Sequence, residues 1–383
     1  MKARTWLLVA LIVVAAVVLA AVFLRSPDGT TRSELKIGVI LPLTGEAAYL
    51  GTSVRNGMEL AAPEAAKRLA EKGLTLSLVY EDSADQVKNA VSAYNKLVTV
   101  DRAEILVCVS GGWKALIPLA DQQDRVLFCT VVSPSKVAAQ SPWAFRFFIS
   151  ADSDASLMAE FAAKRLRLGE VAVLYVNDEF GNSYKEVFTK HFESVGGKVV
   201  SAEGFSPADT DFRPILTRIK GANPDAVYLL AYGNNMALAA RQMRELGIDV
   251  PLLSIGTISQ PDIMKQAGQA VEGAYYTTTR FNTFSPETPQ LKRFVEAYTA
   301  KYQQPPVFFE VFGYDTVNLL AAAAAKAGPS PEAVRDALLA LKGYKGAAGD
   351  ISFSQEGEAT FPVVVRQIKN GQLVDVGWSR PEN

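Results

Sequence analysis

This chain of 383 residues has little of what most catalytic and metal sites require. It holds two cysteines, Cys108 and Cys129, and a single histidine, His191. Three such side chains so far apart do not make a metal site, and none is expected. No GxxxxGK[ST] phosphate loop occurs, and no GxGxxG follows an apolar run. Both common nucleotide cradles are therefore missing, and no cofactor is expected. Charge of one sign is also lacking: 39 basic side chains nearly cancel 40 acidic ones. With no basic patch, nothing argues for nucleic acid. What is present is apolar residue content of 49% against 21% charged, the balance of a globular protein. The length exceeds what one hydrophobic core supports, so two packed domains are expected.

The one long apolar run is at the start. Lys2 and Arg4 precede nineteen uncharged residues, Trp6 to Leu24, and Arg25-Ser-Pro-Asp-Gly follows. A cationic flank before an apolar run is an export signal. The run is longer than the roughly 7–15 residues of most cleaved signals and within the roughly 17–25 that span a bilayer. Residues 1–25 therefore read as a signal peptide or a retained signal anchor, and residues 26–34 as a polar linker. Either way the remainder is exported, to a periplasmic or other extracytoplasmic space, and only residues 6–24, if uncleaved, touch the membrane. Export permits a disulfide. Cys108 and Cys129, however, lie within apolar runs that read as neighbouring parallel strands, where bridging geometry is hard to reach. Two buried free thiols are the expectation.

From residue 35 the pattern alternates. Leu35–Leu41, Leu74–Tyr80, Glu104–Val109 and Val126–Val132 are continuous apolar runs, and amphipathic stretches at Val54–Lys72, Gln86–Val100 and Trp113–Asp124 separate them. A second run begins near Ala151, with strands at Val171–Val176, Lys198–Phe205, Ala226–Ala231 and Pro251–Ser254. Buried strands between helices mean parallel sheets with helices on both faces. The expected fold is α/β, two doubly wound lobes in series with a cleft at the carboxyl ends of their strands. Helices at Glu287–Tyr302, Val307–Lys326 and Pro331–Leu341 follow. Strands Phe361–Lys369 and Gln372–Trp378 come last, joined at Asn370-Gly371, a hairpin turn.

Ser110 ends an apolar strand, and Gly111, Gly112 and Trp113 open the next helix. As a nucleophile Ser110 would need a base, and His191 shares a helix face with Val187, Phe188, Phe192 and Val195 as core-facing residues do. The glycine that a nucleophile elbow places two residues before the serine is absent. As a binding element the same stretch offers a hydroxyl and unpaired first-turn amides, which suit an anion. Plain capping of the helix by Ser110 is the alternative, and capping and ligand contact can share one site.

Further motifs add specificity. Ile37-Gly-Val-Ile-Leu-Pro-Leu-Thr-Gly45 with Gly51 and Asn56-Gly57 resembles the opening of the periplasmic leucine/isoleucine/valine-binding proteins. The likeness continues through Tyr80-Glu-Asp-Ser-Ala-Asp85, Asp178-Glu-Phe-Gly181, Asp211-Phe-Arg-Pro and Tyr314-Asp315. These are type I solute-binding proteins of ABC importers, so the resemblance implies two lobes joined by three crossovers that close on a small ligand and present it to a permease. It divides the chain into one lobe of 35–150 with 283–349 and another of 151–282 with 350–383. It makes Ser110, with the amides at Gly111, the holder of a ligand carboxylate, with Ser133 in a second carboxylate segment where Pro134 replaces a hydroxyl residue. It places Leu50, Phe180, Tyr232 and Phe309 on the cleft wall, where Trp113 also belongs; core packing is the alternative for the aromatics.

One departure bears on the ligand. Amino-acid binders of this family carry an acid after the strand Pro251–Ser254, but this chain reads Ile255-Gly-Thr-Ile-Ser259, with Thr257 in that wall. A ligand without an ammonium group is therefore expected, unless Glu310 serves as its partner; an exposed first-turn glutamate is the alternative reading of Glu310. The same fold also serves as the ligand-sensing ectodomain of anchored receptors.

Overall fold

The computed structural model describes residues 33–45, 47–109, 111–279, 286 and 288–379. The first sheet takes strands β1 (Ser33–Leu41), β2 (Leu74–Asp82), β3 (Ile105–Val109), β4 (Val126–Thr130) and β5 (Ala144–Phe147) in the order β2-β1-β3-β4-β5, all parallel. Helices α1 (Ala48–Ala70), α2 (Val87–Thr99) and α3 (Trp113–Gln122) connect them. Helix α4 (Ala151–Glu160) then leads into β6 (Glu170–Val176), α5 (Glu179–Ser194), β7 (Lys198–Phe205), α6 (Arg213–Gly221), β8 (Ala226–Leu230), α7 (Gly233–Glu245), β9 (Leu252–Ile255), α8 (Pro261–Ala267) and β10 (Tyr275–Thr279). Helices α9 (Pro289–Tyr302), α10 (Phe308–Ala327) and α11 (Pro331–Leu339) follow, then β11 (Tyr344–Lys345), β12 (Asp350–Phe353), β13 (Ala359–Thr360), β14 (Val363–Lys369) and β15 (Gln372–Ser379).

The second sheet runs β15-β14-β10-β9-β8-β6-β7. Its parallel part repeats the order of the first sheet, so each lobe has a point where the chain reverses its direction of growth, between β1 and β3 and between β6 and β8. Crevices form at such points, beyond the carboxyl ends of the strands. The β14–β15 hairpin turns at Asn370 and Gly371, both at positive φ, as its turn type demands. Cys108 and Cys129 are free, buried and directly opposite each other in the β3–β4 register. Burial pushes the Cys108 thiol up to about 12.

Helix α10 returns to the first lobe and lies along α1. The two backbones nearly touch. A Cβ on Gly57 would stand 1.9 Å from the Glu310 carbonyl oxygen, and one on Gly313 would stand 2.0 Å from that of Val54. Only glycine allows this crossing.

The assignment of residues 350–383 to the second lobe needs correction. Residues 350–360 lie on the first: Phe353 packs edge-on against Phe128 and Phe145 at 5.9 and 5.5 Å. Glu358 pairs with Arg146, which is 2% exposed. Apolar burial and a buried ion pair keep this segment with the first sheet, and the chain changes sheets only between Thr360 and Val363. Residues 1–32, which hold the leader and most of the linker, and residues 280–284 of the second crossover expected at Thr279–Phe284 lie outside the described residues. Among the described residues no helix is long and apolar enough to cross a membrane.

Candidate functional site

Loops at the carboxyl ends of both sets of parallel strands surround a cavity of about 230 Å³. An apolar cavity of about 150 Å³ admits a benzene ring, so this one has room for a small branched or aromatic body with a polar head.

The first lobe supplies an apolar wall. Leu50 and Tyr49 come from the start of α1, Trp113 from the start of α3, Val131 and Val132 from the end of β4, and Phe148 and Ile149 from the end of β5. Phe308 and Phe309 come from the start of α10, where Phe309 stacks on Phe148 at 6.5 Å and meets the edge of Tyr49 at 6.3 Å. Asp85, Gly111 and Ser133 are polar interruptions. Gly112 has φ of 87°, which a residue with a Cβ rarely adopts, so the turn into α3 requires glycine there. The Gly111 amide, expected to meet a ligand carboxylate, donates instead to Asp85 Oδ1 at 3.1 Å. Ser133 accepts from the Ala151 amide through its carbonyl at 2.9 Å, which ties the segment to the start of α4. Ser135, the alternative hydroxyl, accepts the Asp152 amide at 3.3 Å and does not line the cavity. Beneath them the Arg146 guanidinium donates to the carbonyls of Val132 and Phe148, at 3.3 and 2.6 Å.

The second lobe supplies an acidic wall. Asp178 caps α5, accepting the Gly181 amide at 2.9 Å on Oδ1 and the Tyr232 hydroxyl at 2.7 Å on Oδ2. Phe180 packs between Tyr184 and Tyr232, at 4.8 and 5.9 Å. Asp154, on α4, is 2% exposed and accepts the Tyr184 hydroxyl at 2.8 Å. Burial pushes its carboxyl up to about 6, offset in part by the nearby Thr277 and Tyr184 hydroxyls. Its Oδ1 completes no hydrogen bond, the Thr277 hydroxyl being near but poorly placed. Thr257 donates to the Ala231 carbonyl at 3.0 Å and closes the floor with Ile255 and Gly256. Burial raises the Asp178 carboxyl, against the Gly181 and Tyr232 donors, and the charge of Asp85 adds to the rise.

The lobes meet at the rim. Lys114 on α3 pairs with Glu179 on α5 at 2.6 Å. On another side Tyr49 approaches Gly233, where an added Cβ would lie 3.9 Å from its ring.

Of the residues singled out in the sequence, Gly111, Trp113, Ser133, Phe180, Tyr232, Thr257 and Phe309 line this one cavity, as does Leu50. Ser110 lies outside the described residues. Glu310 is neither an exposed first-turn glutamate nor a cavity residue. It is 4% exposed and accepts from the Tyr298 hydroxyl at 2.9 Å and from the Val307 amide at 2.5 Å, closing the first turn of α10 from inside. Burial pushes it up to about 7. His191 is half-buried on α5 and does not line the cavity. Sequence reasoning missed Asp85, Asp154 and Asp178 as cavity residues. Asp85 and Asp178 stood inside motifs quoted above, and their positions after strands were the available sign; nothing local marked Asp154.

Comparison with known proteins agrees with this architecture. A profile of the periplasmic binding protein family matches residues 34–372. The leucine-, isoleucine-, valine-, threonine- and alanine-binding protein of Pseudomonas aeruginosa is 28% identical over 328 residues, covering 85% of this chain and 87% of its own. The crystal structure of a leucine-binding protein, LivK, from Thermotoga maritima superposes with a TM-score of 0.82 at 27% identity, over 91% of this chain and 99% of that one. A solute-binding protein of an R. palustris ABC transporter, in complex with benzoate, gives 0.82 at 22% identity, over 92% and 98%, a likeness of fold alone. With almost the whole of the described chain matched, this protein belongs to the periplasmic binding proteins, a solute-binding family that works outside the cytoplasm.

Proposed function

We propose that the protein is the extracytoplasmic solute-binding component of an ABC importer, and that it encloses an amino acid with an apolar side chain and hands it to a permease. The observation that carries this reading is the division of the cavity. Its first-lobe wall is mostly aromatic and aliphatic, while Asp85, Asp154, Asp178 and Glu179 line it and no lysine, arginine or histidine does among the described residues. A bare carboxylate entering such a cavity meets like charge without a cation. A zwitterion brings its own ammonium to the acids and leaves its carboxylate to hydroxyls and amides such as those of Ser133 and Ser110.

The expectation of a ligand without an ammonium group rested on the absence of an acid at 255–259. That premise does not hold for the cavity as a whole, because acids reach it from β2, α4 and β6 instead. The 28%-identical relative named for leucine, isoleucine, valine, threonine and alanine supports the choice of an amino acid. Calorimetry with leucine and phenylalanine against their deaminated acids is the test. The amino acids should bind at least about tenfold more tightly, and tighter binding of the deaminated acids would overturn the reading. Intact-mass measurement of the exported protein separates a cleaved leader from an anchor at residues 6–24.

A further inference from the structure

The amino-acid reading leaves open which groups hold the ammonium, and the inference here rests on that reading. Asp85 and Asp178 face one cavity from opposite lobes. Each is fixed in place by donors of its own lobe, Gly111 for Asp85, and Gly181 with Tyr232 for Asp178. Those donors are neutral, so the two negative charges remain. They are near enough to act on one another and on the hydroxyl beside them. Burial foremost, then Asp178 and also Asp85, raise the Tyr232 phenol. Asp154 adds a third carboxyl to the same cavity, with one oxygen unpartnered. Closing the lobes over an empty cavity therefore brings like charges together, Asp85 from an exposed position and Asp178 from a half-buried one, and like charges repel. A cation placed between them removes the conflict. The Lys114–Glu179 pair also spans the lobes, but it neutralises itself and has no such requirement.

We propose that Asp85 and Asp178 hold the ligand's ammonium between the lobes, so that a positively charged head group is a condition for closure. The two carboxylates then select for the ammonium jointly, one from each side, in place of an acid after β9. Selectivity and closure become one event, because neither carboxylate completes the site until the lobes meet.

Asp178→Asn is the leading variant, since asparagine caps a helix about as well as aspartate and keeps an acceptor for the Gly181 amide. Calorimetry on the full mature protein would use leucine and 4-methylpentanoate, which differ only in the amino group. The unmutated protein should prefer leucine. In Asp178→Asn, leucine should weaken about ten- to hundredfold, as befits a lost charged hydrogen bond, while 4-methylpentanoate holds or tightens. Asp85→Asn should narrow the same ratio from the other lobe. A ratio unchanged in both folded variants overturns the proposal. Small-angle scattering needs no variant: leucine should shrink the radius of gyration, and saturating 4-methylpentanoate should not. Equal shrinkage by both ligands also overturns it. If the unmutated protein binds neither compound, the amino-acid reading itself fails, which is a separate result.

Discussion

The two lobes repeat one strand order, yet they present opposite chemistry to the cavity between them. The first offers Leu50, Trp113, Phe148, Phe308 and Phe309, with Asp85 its one acid among the described residues. The second offers Asp154, Asp178 and Glu179, with tyrosine hydroxyls held among them. A shared topology thus fixes where a ligand sits but not what it is. Under the function proposed above, the apolar body is read on the first lobe and the charged head by acids of both, so neither lobe alone has a complete site. The difference extends to how each lobe is finished by the end of the chain. The second gains an antiparallel hairpin on its sheet. The first is completed by a short segment whose Glu358 meets a buried arginine just behind the cavity wall.

That last contact gives the largest expected effect. Glu358→Ala leaves the Arg146 guanidinium buried without its anion, and such losses cost about 3–5 kcal/mol. For a chain of this size the melting temperature should fall by on the order of 4–6 °C in scanning calorimetry. Because Arg146 also holds the carbonyls of Val132 and Phe148, ligand affinity should fall with it. A stable variant with normal affinity would show that the first lobe does not depend on its late segment.

A smaller effect, of on the order of 1–3 kcal/mol, lies in pH. Burial pushes Glu310 and Asp315 up to about 7, the latter although it accepts the amides of Ala347 and Ala348 at 3.0 and 2.7 Å. A carboxyl raised in this way binds its proton more tightly when folded than when unfolded. Its stabilising contribution is complete below the unfolded value, near 4, and is lost as pH rises through about 7. Both groups sit on α10 against the first lobe, so thermal melts should show a protein more stable at pH 5.5 than at pH 8. Glu310→Gln, which cannot ionise, should flatten that slope. An unchanged slope would remove Glu310 from the account.

Glu310 also marks the limit of what the sequence discloses. Continuous apolar runs announced four strands of the first sheet, and the alternation with amphipathic helices announced the cleft, because burial on both faces leaves no other pattern. Ala144–Phe147 and Tyr275–Thr279 escaped notice as strands. The first is only four residues long, and the second is threonine-rich and buried by partners remote in sequence. Cavity residues on strand ends were legible because a parallel sheet dictates that place. Asp154 was not, since a helix residue reaches the cavity only through the angle at which α4 leaves the crossover. A lone acid among Phe308, Phe309, Val311 and Phe312 looked like a choice between ligand and solvent. Its partner, the Tyr298 hydroxyl on α9, is fixed by packing that no local spacing records.

The smallest effect tests the rim. Lys114 and Glu179 join the lobes at 2.6 Å, but their side chains are 67% and 42% exposed, so water and salt screen the pair. Exposed pairs contribute roughly 0.2–1 kcal/mol, which corresponds to at most about fivefold in a rate or affinity. Lys114→Ala should therefore quicken ligand release by about two- to fivefold in stopped-flow measurements, by the same factor for every ligand. The gap between variant and unmutated protein should close at high salt. Equality between ligands is the informative part. Lys114 lies outside the cavity lining, so its loss should shift only the balance between open and closed lobes, whereas the carboxylates inside must discriminate. A change in ligand preference on loss of Lys114 would place charge recognition at the rim and undo the division of labour between the two lobes.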